Sequence, residues 1–461
     1  MIKFAFPLMM TNIFQLLYTT VDLWTVSEFG GGSLSMSAIG SNSALINLII
    51  TVLSSIAVGS NVCISIAKGK GDKEKAEKIL HTSFFVAIFG GGIFSIIGFF
   101  LAPQLLKLMG TPESIISRAT TYLKIYFIGT PLLMIYNFGA QMLRALGDSK
   151  RPLHILTISG IINVLFDLLF VIVFKMDVSG VALATIISQG ISAFLVMTWF
   201  IINKKSFVNF DLKKFKIYKE ELIEILKIGI PSGLQGLAFS IPNVMIQSSL
   251  YTINDYYIDG VLITQNDMIS GASAAAQIEG YIFFMVDAFA VSIVSFAGQN
   301  FGARNKINIR KSYWFSIIWM MVFYGISLIG SVIFPAFFLK IFIKESHEIN
   351  IEAAILAGKE RLLIMGSTYF IDGLMNINGS YLRGLKRSTP PAIVTILGCT
   401  GVRILFLTTL FQLDFFHNIF WLYAVFPISW ILVNIVYLII LPRMEKKQFK
   451  LIEGPDPVLA N

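Results

Sequence analysis

Charge is what this chain has least of. Only 14% of its 461 residues are Asp, Glu, Lys or Arg, against about 25% in ordinary soluble domains. With 55% apolar residues, the inventory is too large to bury in one aqueous core, so lipid must be its solvent. Cysteine is also scarce. Cys63 and Cys399 lie far apart in apolar stretches, which excludes a disulfide framework and reads as two inert small hydrophobes. His81, His154, His347 and His417 are scattered without metal-ligand spacing. No GxxxxGK[ST] loop is present, and no HExxH, CxxC or GxSxG stands where it would support catalysis. Direct drive by ATP and an enzymatic role are therefore not expected, and no cofactor is. The first apolar run is too long for a secretory signal, and no small-residue cleavage site follows it.

What the chain does have is apolar runs of ~20 residues, long enough to cross a hydrocarbon core of ~30 Å. They predict twelve transmembrane spans near 4–27, 42–67, 81–106, 119–142, 152–174, 178–202, 222–251, 269–299, 312–343, 361–382, 391–412 and 418–441. The net charge of +9 is not spread evenly. Loops around 68–78, 144–151, 204–219, 304–311, 383–387 and 443–450 hold clusters of Lys and Arg. Ser27–Gly40, Thr252–Met268 and Gln412–Asn418 hold none, Thr252–Met268 carries Asp255, Asp259 and Asp267, and Lys344–Arg361 is acid-rich. Basic loops face the cytoplasm, so the alternation predicts both termini inside. A nucleic-acid partner would not produce it, and none is expected.

Half the chain repeats the other half. LRALGDSKRPLHI at Leu143–Ile155 returns as LRGLKRSTPPAIV at Leu382–Val394, with Leu, Arg, Leu, Ser and Pro at the same spacing 239 residues on. Ala67–Lys78 and Gly298–Ile309 form a second matched pair, each expected to turn at a glycine, Gly71 and Gly302. Pro7 and Pro231 open the first span of each half. The predicted organisation is an N-lobe of six helices at 1–202, a basic cytoplasmic linker at 203–219, a C-lobe of six helices at 220–442 and a cytoplasmic tail at 443–461. The fold class is an all-α membrane protein of two pseudo-symmetric lobes with a cleft between them, as in transporters built from repeats.

The few charges inside spans are the informative ones, since a mid-span Asp costs ~2.5–3.5 kcal/mol to insert. Asp22 interrupts span one, and Asp167 interrupts span five with Asn163 one turn before it on the same face. Thr185 lies in the first turns of span six. Together these four predict a polar pocket in the first half. The second half offers Gln277, Glu279 and Asp287 in span eight, Asp372 and Asn376 in span ten and Arg403 in span eleven. Arg403 is equally well read as the structural partner of one of these acids. Desolvation disfavours a charged carboxylate, which suits such a group to bind and release a proton. The same Asp, Asn and Thr oxygens suit Na+, and the residues leave the two ions open.

Several stretches resemble the multidrug and toxic compound extrusion (MATE) transporters in their bacterial branch. They are FPLMMTNIFQLLYTTVDLW, YNFGAQMLRALGDSKRP, NVLFDLL, GVALATIISQ, FAGQNFGA and YLRGLKRSTPP. The resemblance implies a twelve-helix exporter whose central cavity opens alternately to each side. It would exchange inward H+ or Na+ for an outgoing amphipathic, often cationic compound, in the bacterial inner membrane and as a monomer. Asp22, Asn163, Asp167 and Thr185 match the N-lobe pocket in which the family binds its coupling ion, which implies that role for them here. Asp372, eleven residues before the arginine of LRG, matches a C-lobe coupling carboxylate of some members, and Glu279 an acid of many bacterial ones. Two departures stand out: the chain begins almost inside span one, as if trimmed, and span seven lacks the acid that some sodium-coupled members carry. The rival readings are a lipid-linked saccharide flippase, for which mid-span bases (Lys124, Lys227, Arg403) are few, and a non-transporting receptor or scaffold, which would not need polar pockets in both halves.

Overall fold

A computed structural model of the chain describes residues 1–343 and 349–453. The stretch 344–348, with His347 and part of the acid-rich Lys344–Arg361 loop, lies outside the described residues, as does the end of the expected tail, 454–461.

Helix dominates, because in lipid a spanning segment must satisfy its backbone internally. Among the described residues, ten helices are long and apolar enough to cross a membrane: Ile2–Phe29, Leu34–Lys70, Lys73–Leu108, Lys150–Val173, Val178–Ile202, Lys219–Thr252, Gln265–Gly302, Lys306–Ile333, Thr389–Gln412 and Ile419–Glu453. The fourth and tenth expected spans are helical but built differently. Glu113–Ala145 is a continuous helix of 33 residues with Lys124, Asn137 and Gln141 along it. The tenth span begins earlier than its apolar run, as Ile351–Arg361. It then passes through a π-turn at Leu362–Gly366 and a break at Ser367–Thr368, and resumes as Tyr369–Gly384. The most polar rod is thus the fourth of each half. Gly32–Lys70, at 39 residues, is about 58 Å long at 1.5 Å per residue, so it must tilt or project beyond the bilayer.

The duplicated loops fold alike. In the first copy the Gly147 N–H donates to Arg144 and the Asp148 N–H to Leu143; in the second the Lys386 N–H donates to Arg383 and the Arg387 N–H to Leu382. Gly147 (φ 84°) and Lys386 (φ 65°) are the left-handed residues that stop the two helices. The other pair corrects an expectation. Gly71 turns with φ 75°, but its counterpart is Arg304 (φ 56°), not Gly302, which is the last helical residue. Asp72 and Asn305 follow as matched caps, accepting from Lys75 N–H at 2.9 Å and Asn308 N–H at 3.0 Å. A π-turn also recurs in the fifth rod of each half, at Leu169–Val173 and Ile396–Gly401.

The chain packs as two compact units, Lys3–Gly233 and Leu234 onward together with Met1–Ile2. The division falls inside the Lys219–Ser249 helix rather than at the 203–219 linker expected from charge. The reason is glycine. A Cβ on Gly59 would lie 2.3 Å from the Ile225 carbonyl and one on Gly229 2.8 Å from Ile56 Cα, so the start of that helix lies backbone to backbone with Gly32–Lys70. Without a hydrophobic drive between helices in lipid, such small-residue contacts carry the packing. In the second unit a hairpin, unforeseen in an all-α reading, pairs Tyr256–Ile258 with Val261–Ile263. Its turn residues Asp259 and Gly260 both have positive φ, as a two-residue type I′ turn requires.

Candidate functional site: a buried carboxyl pair

Gly160 creates the first-unit site. A Cβ there would fall 1.8 Å from Cζ of Tyr18, so the Tyr18 ring lies flat on the bare backbone of the Lys150–Val173 helix. One turn further along Ile2–Phe29 stands Asp22, and its carboxyl meets that of Asp167. Asp167 is fully buried and Asn163 nearly so. The Glu113–Ala145 and Val178–Ile202 helices close the site. Gly129 and Gly139 admit Ile186 and Val196, where added Cβ atoms would approach within 2.7 and 2.6 Å. This contact lays the Tyr122 hydroxyl against Thr185 and Tyr126 beside Gln189; Tyr122 lies within electrostatic reach of Asp22 and Asp167, and Tyr126 of Asp22. The Thr185 hydroxyl donates to the Val181 carbonyl at 2.9 Å, so its lone pairs remain for another donor or a cation.

Among the described residues no cation pairs with these two carboxyls. Asp22 Oδ1 and both carboxyl oxygens of Asp167 are buried and receive no hydrogen bond from an amide, hydroxyl or cation among the described residues. Two adjacent carboxylates in such a place repel and leave desolvated lone pairs unmet. One shared proton, or one small hard cation, removes both penalties. No group of three or more His, Cys, Asp or Glu that could hold a metal occurs among the described residues. A sodium ion here would take two carboxylates and the neutral oxygens of Asn163 and Thr185, a hard-oxygen set fitting a weakly held cation. Of the four residues expected in the first half, Asp22 and Asp167 meet, Asn163 lies one turn before Asp167 on its helix, and Thr185 is reached through the Tyr122 hydroxyl. Tyr122, Tyr126 and Gln189 were missed; the i, i+4 tyrosines beside Lys124 in a polar span were the available signal.

The second half is arranged otherwise. Glu279 is buried and clasped by Arg361, whose Nε and Nη2 donate to the two carboxylate oxygens at 2.8 Å each. Tyr369 donates to the same acid at 3.4 Å, and the guanidinium lies over the Tyr423 ring at 5.2 Å. Arg403 is therefore not the partner of Glu279. It is buried, donates to Ser429 Oγ at 3.0 Å and Asn243 Oδ1 at 3.5 Å, and stacks over Phe426 at 4.2 Å. Asp372 accepts from Asn376 at 2.9 Å, with Arg403 and Asp287 within electrostatic reach. Gln277 does not join this group. It is exposed, two residues from Glu279 and so on another face of the Gln265–Gly302 helix. Glu279 and Asp372 thus have cationic neighbours, where among the described residues the first-half pair has none.

Residues 7–169 and 241–409 match the MatE family. The chain belongs to that family. It is 35% identical over 311 residues to the probable multidrug resistance protein YpnP of Bacillus subtilis, which is 66% of this chain and 65% of that protein, so it spans about two thirds of that relative's length. It is 25% identical over 416 residues to the probable multidrug resistance protein NorM of Thermotoga maritima, 88% of this chain and 83% of that one. Among solved structures, an outward-facing multidrug resistance MATE family transporter superposes with a TM-score of 0.83 at 20% identity, covering 98% of this chain and 96% of that one. That likeness establishes the MATE fold. The chain stands among multi-pass membrane transporters, not enzymes.

Proposed function

We propose that the protein is a secondary antiporter that exports amphipathic, cationic compounds in exchange for an inward-moving proton or sodium ion bound at Asp22 and Asp167. The observation that carries this reading is the buried carboxyl pair with no donor and no base against it. A resting pair of this kind is bistable: with the cation bound the two helices close on each other, and without it they repel. Asn163, Thr185 and Tyr122 supply the neutral oxygens that orient the site. One positive charge moving inward yields about 2.3 kcal/mol per 100 mV, roughly a fiftyfold gradient. That energy reaches the cargo only if the cargo binds the two states with different affinity. The relatives named for multidrug resistance support drugs as the cargo. Both termini are assigned to the cytoplasm, and the membrane to the bacterial inner membrane, on the distribution of Lys and Arg.

The test uses membrane vesicles loaded with a cationic dye, with wild type, Asp22→Asn and Asp167→Asn compared under imposed proton and sodium gradients. Each variant is expected to lose at least ten-fold of the ion-driven component of efflux while expressing normally. Ion-driven efflux that survives in both variants would remove the proposed coupling site.

A further inference from the structure

The 203–219 linker is held far more firmly than a spacer between two spans needs to be. His81 is its anchor. Its Nδ1 lies 2.7 Å from the Glu77 carbonyl oxygen, and its Nε2 lies 3.0 Å from the Asp211 carbonyl oxygen and 3.1 Å from the Asp211 backbone nitrogen. The imidazole stacks on Phe210 with centroids 5.0 Å apart, and Phe84 meets the same ring edge-on at 5.3 Å. Phe210 N–H donates to the Phe200 carbonyl at 2.9 Å, Tyr218 N–H donates to Thr82 Oγ1 at 3.2 Å, and Phe215 packs on Phe85. Val208 and Phe210 are buried. Asp211, the acid within the linker, is exposed and caps its own short helix by accepting from Lys213 N–H at 2.9 Å.

What this clamp leaves outside is mainly basic, with Asp211 the one exposed acid among linker residues 203–219 and Lys214 Nζ 3.7 Å from Glu77. Lys204, Lys205, Lys213, Lys214, Lys216 and Lys219 are all exposed. Between them stand two aliphatic tips, Leu212 at 72% and Ile217 at 42% exposure. The linker joins the membrane-crossing helices Val178–Ile202 and Lys219–Thr252, so it sits at the bilayer surface by connectivity alone. Loop charge that merely sets topology needs neither a fixed conformation nor outward aliphatic side chains. A surface layer of phosphate headgroups over an apolar interior calls for both: lysines for the anions, Leu212 and Ile217 for the acyl boundary.

We propose that the clamped linker is a docking surface for anionic lipid headgroups. The choice of the cytoplasmic leaflet rests on the orientation given above, whereas the docking itself does not. Each lysine held near an anionic surface is worth roughly a fivefold change in partition, falling away beyond a Debye length of about 8 Å at physiological salt. The binding is therefore graded with lysine number and weakened by salt.

The full chain carrying Leu212→Trp, reconstituted in vesicles of phosphatidylcholine with or without a third of phosphatidylglycerol, tests this. Quenching by spin-labelled phosphatidylglycerol is expected to exceed quenching by spin-labelled phosphatidylcholine severalfold. The preference should fall stepwise as Lys204, Lys205, Lys213, Lys214 and Lys216 are changed to Gln, and should weaken in 0.5 M salt. A solvent-exposed emission that neither lipid quenches, or a preference untouched in the five-lysine variant, overturns the proposal; so does quenching seen only after an acidic soluble protein is supplied. Unchanged heat resistance of the variants in detergent certifies their fold. Labelling of Lys213→Cys from one side of intact cells reads the orientation separately, so a reversed topology and a failure of lipid docking give different results.

Discussion

Changing Arg361 to Met isolates a buried, bidentate ion pair. The guanidinium makes two 2.8 Å bonds to Glu279, and the side chains of the two residues are only 12% and 4% exposed, so solvent screening is slight. Breaking a buried pair by removing one partner costs about 3–5 kcal/mol, chiefly because the other charge is left buried and unmatched. Tyr369 alone cannot make good that loss, and the contact with the Tyr423 ring goes too. For a cooperative unit of about 200 residues, each kcal/mol lowers Tm by roughly 2–4 °C, so Arg361→Met should melt on the order of 10 °C lower. Replacing both ends, Arg361→Met with Glu279→Leu, removes the stranded charge, and such swaps leave stability near or above its starting value. The assay is heat treatment in detergent followed by size-exclusion recovery. A single variant within about 2 °C of wild type, or a double variant no better than the single, would refute the reasoning.

Two further outcomes follow from close approaches in the first unit. Gly160→Leu drives a side chain into the Tyr18 ring; overpacking costs about 1–3 kcal/mol, and the displaced Ile2–Phe29 helix should abolish ion-driven efflux while leaving expression intact. Recovery of efflux with Tyr18→Ala in the same chain checks that geometry. Asp177 accepts from Gly31 N–H at 3.0 Å, Ser35 Oγ at 2.7 Å and Arg118 Nε at 2.9 Å, tying the turn between the first two helices to two others. Asp177→Ala should cost about 1–2 kcal/mol, since the site is partly exposed, and should speed deuterium uptake across residues 30–35.

Much of the architecture was legible because lipid imposes a simple code. Spans follow from apolar runs, and the duplication followed from LRALGDS and LRGLKRS, whose backbones turn with the same hydrogen bonds. The four first-half polar residues were legible because charge in a span is expensive and therefore rare. What stayed hidden depends on neighbours distant in sequence. Arg361 read as a loop base at the edge of an acid-rich segment. The small residues Ala353, Ala354, Ala357 and Gly358 let its helix pack on Gln265–Gly302, where an added Cβ on Gly271 would sit 2.2 Å from the Ala354 carbonyl. That contact carries the arginine to Glu279. Gln277 looked equivalent to Glu279 because apolar spans give little helical phase; two residues turn it to another face. The unit boundary was sought at the most charged segment, but glycine contacts at Gly59 and Gly229 decide it.

The central claim is that Asp22 and Asp167 together hold one exchangeable cation that cargo binding expels. The most direct measurement is ion release from purified protein in weakly buffered detergent solution when a cationic substrate is added, followed with a pH indicator and a sodium-sensitive dye. The account predicts release of about one proton or one sodium ion per chain in wild type and none in Asp167→Asn. Equal release from the two proteins would contradict it.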